Sequence, residues 1–134
     1  MLYDANMTTF AKLYDEIAAM LEGTGNIGAL QSATEAVIAG GLRDPEGLFM
    51  LALGLAHFGG EDRAVEILAD AVHRGYYPYD TFNQNPWLDP LRQRTDFLEI
   101  VRKAGHRHQE ALAAFIQAGG EALLGVCSAA ASNG

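Results

Sequence analysis

Three glycine pairs, Gly40-Gly41, Gly59-Gly60 and Gly119-Gly120, cut the chain into short pieces, and Gly23, Gly25 and Gly28 fill a further break. Glycine adopts the left-handed backbone conformation that closes a helix, so breaks of this kind are what short helices with tight stops require. Between the breaks the apolar residues return at three- and four-residue steps without β-branched alternation. That pattern predicts an all-helical fold.

In the first piece Phe10, Leu13, Tyr14, Ile17, Met20 and Leu21 form one apolar stripe opposite Lys12, Asp15, Glu16 and Glu22, which predicts a helix over 7–22. A second, shorter helix carries Ile27, Leu30, Ala33, Thr34, Val37 and Ile38 and ends before Gly40. Asp44 then stands as an N-cap with Pro45 at the first helical position, where the missing N–H costs nothing. The helix that follows, 45–58, is apolar nearly all round and therefore needs neighbours on several sides. A fourth helix, 61–74, turns Ala64, Val65, Ile67, Leu68, Ala71 and Val72 inward and Glu61, Asp62, Glu66, Asp70 and Arg74 outward, and Gly75 stops it.

A chain of 134 residues buries roughly two thirds of the surface that its unfolded form exposes, enough for one core without metal or disulfide. The single cysteine, Cys127, has no internal bridging partner, which fits a reducing, cytoplasmic setting. With 9 basic against 17 acidic side chains the formal charge is −8, and no Lys/Arg cluster stands out, so nucleic acid is not an expected partner. Residues 1–70 hold the whole excess of −8, whereas residues 71–134 sum to zero, an asymmetry that reads first as a solvated acidic surface, with head-to-tail contact between chains as the alternative. No basic start followed by an apolar run marks a secretory leader, and no apolar stretch reaches the ~20 residues that cross a bilayer, so no membrane partner is expected.

Helix pairs joined by tight turns call for a periodicity test. Leu48, Leu51, Ala52, Leu55, Ala64, Leu68 and Ala71 follow one another at offsets of 3, 1, 3, 9, 4 and 3. Thirty-four residues upstream, Tyr14, Ile17, Ala18 and Leu21 match the first half of that pattern, and Leu30, Thr34 and Val37 match the second half more loosely. These spacings resemble the tetratricopeptide repeat, clearly over 45–78 and in degenerate form over 11–44. The segment from Arg74 through Tyr76, Tyr77, Tyr79 and Phe82 to Pro86-Trp87-Leu88-Asp89-Pro90-Leu91-Arg92 resembles the C-terminal end of tetratricopeptide arrays in bacterial multidomain signalling and regulatory proteins. The resemblance implies a single domain over 1–134, with antiparallel helix pairs stacked as a short α-solenoid. It also implies a turn and capping helix over 79–118 and a tail over 119–134. It implies a scaffold that binds protein or peptide, with no catalytic residues.

Physical chemistry of the same segment points the same way. Asn85-Pro86 and Asp89-Pro90 each force an extended residue before proline, so Trp87 and Leu88 are held between two turns and pressed toward the core. Tyr76, Tyr77, Tyr79, Phe82 and Trp87 form a candidate aromatic cluster. Thr95 is the expected cap of a last helix over 96–118, in which Phe97, Ile100, Val101, Ala104, His108, Ala111, Leu112 and Phe115 trace one face. Gly105 weakens that helix by ~1 kcal/mol relative to alanine and is a point where it could split.

The residues that suggest chemistry are few. His106 and Glu110 share a helix face, but His108 points away from them and no second ligand set lies at metal spacing. His57 and His73 each sit in a last helical turn, where an imidazolium meets the negative end of the helix dipole. Asp89 and Asp96 are placed as local acceptors rather than as an acid/base pair. The GxGxxG spelled by residues 23–28 follows a helix rather than a strand and lacks the context of a dinucleotide loop. No enzyme and no cofactor is expected.

By the resemblance, the first helix of each pair lines a partner-binding groove. Here that face holds Lys12, Asp15, Glu16, Ala19 and Glu22 in one pair and Glu46, Phe49, Met50, Leu53 and His57 in the other. Acids and apolar groups in place of Lys, Arg and Asn favour a basic or apolar peptide over a carboxylate. A short array also leaves its first pair uncovered, so Phe10, Leu13, Tyr14 and Ile17 are expected to pack against something outside the chain, an upstream domain or a second copy. A small-ligand or metal-sensing module built on the aromatics around Trp87 is the alternative reading.

Overall fold

The computed structural model describes residues 2–120 and 123, and among these it is all helical. Helix α1 spans Leu2–Glu22, α2 Ile27–Ala39, α3 Pro45–Phe58, α4 Glu61–His73, α5 Tyr79–Gln84 and α6 Thr95–Gln117, with a 3-10 segment over Pro86–Leu91.

Local signals set most of the boundaries. Asn26 accepts the Ala29 N–H at 2.8 Å to open α2, and Asp44 accepts the Gly47 N–H at 2.8 Å to open α3 with Pro45 behind it. Each glycine pair supplies one residue of positive φ, at Gly41, Gly59 and Gly119. Two ends differ from expectation. Helix α1 begins about a turn before Met7, because no glycine or proline interrupts the preceding residues. At the start of α6, Thr95 is the first helical residue and not the cap: the Leu98 N–H bonds the Arg94 carbonyl, which makes Arg94 the half-in residue. The expected tail lies outside the described residues except for Gly119, Gly120 and Leu123, and Cys127 lies outside them too.

Neighbouring elements pack in series. Helix α1 lies on α2, α2 on α3, α3 on α4, and α4 on α6, while the 3-10 segment packs against α3 and α4 and α5 packs against α6. The apolar helix α3 thus finds covered sides, as its composition requires. Its inner residues Leu48, Ala52 and Leu55 join Ala64, Leu68 and Ala71 of α4 in the core. The small side chains at 52, 64 and 71 let the two helices approach closely. Gly60, in the turn between them, lets that turn lie close to α2 as well, since a methyl group there would lie 3.1 Å from Gln31 of α2 and 3.2 Å from Leu55.

Three arginines tie distant elements together. Arg63 of α4 pairs with Glu35 of α2 and with Glu66. Arg94 reaches Asp62 at the start of α4 at 2.8 Å while also holding Asp96. Arg107 of α6 donates to the Val72 and His73 carbonyls, placing a cation at the C-terminal end of α4, where the Gly75 N–H also bonds the Val72 carbonyl. Among the described residues the one buried polar side chain, Thr34, donates to the Leu30 carbonyl at 2.8 Å and so carries no unmet hydrogen bond.

Candidate functional site

The groove expected between the first helices is filled where its apolar members stand. Phe49 is 2% exposed and Leu53 6%, so neither is presented to a partner. The cause is a set of rings from later in the chain. Tyr76 meets Phe49 edge-on at 5.3 Å and Phe82 meets it at 5.4 Å, while Phe97 packs against the other side of Phe82 at 6.2 Å. Burial, together with the Glu46 and Asp44 charges, pushes the Tyr76 phenol above its ordinary pKa. Glu46, Met50 and His57 remain exposed, and Met50 has no apolar neighbour among the groove residues to form a continuous patch.

The expected aromatic cluster divides into three. Phe82 is fully buried with Phe49 and Phe97; Tyr79 stacks on His108 at 5.7 Å; and Trp87 stacks on His57 at 4.3 Å with Phe58 edge-on at 5.7 Å. Leu88 enters the core as expected, whereas Trp87 stays half-buried. The two prolines do hold the segment, and Arg92 locks it by donating to the Phe82 carbonyl at 2.7 Å and the Asn85 carbonyl at 2.8 Å.

The exposed His106 Nε2 lies 3.0 Å from Glu110 Oε1, and no group of three metal-ligating side chains occurs among the described residues. A cleft of about 380 Å³ opens between α4 and α6, lined by Val72 and Ile100 together with His73, Arg102, Lys103, His106, Arg107 and Glu110, so that its bases are accompanied by a carboxylate. The sequence does not show this cleft because His73 and Val72 come from another helix. The available signal was Arg102-Lys103 followed one turn later by His106-Arg107.

On α1 the expected apolar stripe splits in two. Leu13 is buried, and Ile17 and Met20 are half-buried and packed against the core. Tyr14, 66% exposed, and Leu21, 62% exposed, face away with Met7, 55% exposed, and with Phe10, Ala11 and Ala18. Residues 7, 14 and 21 alternate with 11 and 18 at steps of four and three, so they run along one side of the helix for most of its length. Lys12, Asp15 and Glu22 are exposed, and Glu16 and Ala19 are half-exposed. This face combines large side chains, alanine-sized gaps and a carboxylate border.

These features define an all-helical protein whose helix pairs pack in series, with no helix among the described residues long and apolar enough to cross a membrane. Comparison with protein-family models, with curated proteins and with solved structures gives no match to this chain.

Proposed function

We propose that this chain is a non-catalytic interaction module, a short tetratricopeptide-like stack that binds protein or peptide, acting in the cytoplasm as a segment of a bacterial signalling or regulatory protein. The observation that carries the reading is the outer face of α1. Met7, Tyr14 and Leu21 stand exposed in register with Ala11 and Ala18, a pattern that solvent does not reward and a facing helix does. Asp15 and Glu22 beside that face favour a partner with basic or neutral flanks. Helical surfaces of this kind bind amphipathic helices through anchors three and four residues apart.

Photocrosslinking from position 14 in cells, followed by reconstitution from purified proteins, tests the proposal. The expected result is a covalent adduct to a polypeptide that forms again with purified components and is lost in Leu21→Glu. No polypeptide adduct, or one indifferent to Leu21→Glu, overturns it.

A further inference from the structure

We infer that the cleft between α4 and α6 binds a small organic anion, a monocarboxylate with an apolar body. The inference goes beyond the interaction reading and does not depend on it.

The cleft is built from the facing sides of two helices. Ala69, Val72 and His73 follow one another at steps of three and one on α4, and Ile100, Lys103 and Arg107 at steps of three and four on α6. The apolar part of the lining comes from Val72 and Ile100, 5% and 7% exposed, and from the exposed Ala69. A volume of about 380 Å³ lies at the small end of ligand pockets, which run from roughly 300 to 1,000 Å³.

The cations of the cleft differ from most of the others in the chain. Arg63, Arg74, Arg92, Arg94 and Arg102 each bond a carboxylate. Among the described residues Lys103 and Arg107 bond none, and Arg107 is held in place through Nη1, which donates to the Val72 and His73 carbonyls. The carboxylates nearby are already engaged within the chain. Arg102 takes both oxygens of Glu99, at 3.0 and 2.6 Å, and His106 Nε2 lies 3.0 Å from Glu110 Oε1. Lys12 and Arg43 also bond no carboxylate, but they stand on different elements. Only Lys103 and Arg107 bring two such cations to one cleft, in a chain whose formal charge is −8.

The same surroundings limit the ligand to one negative charge. Glu110 lines the cleft, and α4 ends there at His73 with the negative pole of its dipole. A ligand with several anionic groups, such as a nucleotide, would be repelled by both. One carboxylate, by contrast, meets Lys103 and Arg107 a single helical turn apart and leaves its apolar body against Val72 and Ile100.

Two-dimensional amide NMR of the full chain titrated with hexanoate tests the inference. Saturable shifts are expected at the amides of residues 69–73 and 100–107. 1-Hexanol and inorganic phosphate, each with half of the chemistry, are expected to give no saturable shift there. Lys103→Ala, at an exposed position, is expected to weaken hexanoate binding ~10-fold, the scale of one charge-assisted hydrogen bond, with an unchanged thermal melt. Ala69→Leu alters no charge and is expected to weaken binding by filling the apolar side of the cleft. Hexanoate that shifts no amide of the cleft, that binds Lys103→Ala as tightly as the wild type, or that is matched by 1-hexanol or by phosphate overturns the inference. An adduct from position 14 bears only on the interaction reading, so the two fail separately.

Discussion

Tyr79 lays its ring against the backbone of Gly105, so that a methyl group added at 105 would lie 2.8 Å from Tyr79 Cε2. The close approach accounts for a glycine in the middle of a helix that nevertheless runs unbroken from Thr95 to Gln117. On an exposed helix, Gly→Ala stabilises by ~1 kcal/mol. Here Gly105→Ala is expected to give no gain or a loss in urea unfolding, since the half-buried ring must move and its stacking on His108 at 5.7 Å is disturbed. In a Tyr79→Ala background the gain of ~1 kcal/mol should return. A gain of that size in the otherwise wild-type chain would show that the ring is not seated there.

Phe82 joins α3 to α6. Fully buried, it meets Phe49 of α3 edge-on at 5.4 Å and Phe97 of α6 at 6.2 Å. Truncation to alanine removes both ring contacts and leaves a cavity, at a cost of ~3–5 kcal/mol. The expected outcome is a Phe82→Ala chain near the limit of folding, against a total stability of ~5–15 kcal/mol for a domain. Met50→Ala, at an exposed position one residue from Phe49, should change the denaturation midpoint little. Equal effects of the two substitutions would contradict the burial of Phe82.

Helix existence and helix ends were readable in the sequence wherever a local signal decides them. Asp44-Pro45, the glycine pairs and the all-round apolar character of α3 needed no distant partner, and the end of α2 and both ends of α3 follow from them, whereas the Asn26 cap that opens α2 was not singled out. What could not be read is which of two apolar neighbours a helix buries. Leu13 and Tyr14 stand side by side in the same predicted stripe, and the position of α2 sends the first inward and the second to solvent. Phe49 was misplaced for the same reason, because the rings that cover it belong to Tyr76 and Phe82. Of the expected groove, Lys12, Asp15 and Glu22 stand exposed, whereas its apolar centre belongs to the core.

Arg92 closes the turn that carries Trp87. Its guanidinium donates to the carbonyls of Phe82 and Asn85 and to Asp89 Oδ1, the last at 2.8 Å. A lysine ammonium is a point donor and cannot span three acceptors set by a planar fork. Arg92→Lys is therefore expected to cost ~1–3 kcal/mol in chemical denaturation, close to the loss in Arg92→Ala, because the half-buried carbonyls lose their partners in both. Full rescue by lysine would mean that charge alone matters at this position.

The start of α6 should be sensitive to acid. The Arg94 guanidinium, bonded to Asp96, holds that carboxyl below its usual pKa, with the Phe97 N–H helping, and Arg102 does the same for Glu99. A carboxyl whose pKa is depressed in the folded state stabilises the fold above its unfolded value, and the stabilisation is lost as pH falls through the folded value. The melting temperature is thus expected to be flat near neutrality and to fall below about pH 4, the ordinary carboxylate range. Asp96→Asn should lower it at neutral pH and flatten the acid branch in scanning calorimetry. A variant with the wild-type acid profile would rule out Asp96 as a contributor.

The chain's single tryptophan reports on the surface where α3 meets the 3-10 segment. The His57 ring lies 4.3 Å from that of Trp87 at an interplanar angle of 10°, and Phe58 contacts it edge-on. One face of the indole is therefore covered by an exposed imidazole rather than by the core. Iodide is expected to quench the wild-type fluorescence less than free indole, and His57→Ala should raise the quenching constant and shift the emission to the red. The stacked pair itself contributes ~0.5–1.5 kcal/mol, so the variant stays folded and the change is local. Quenching that matches free indole in the wild type, with no response to His57→Ala, would place Trp87 in open solvent and remove the stacked pair.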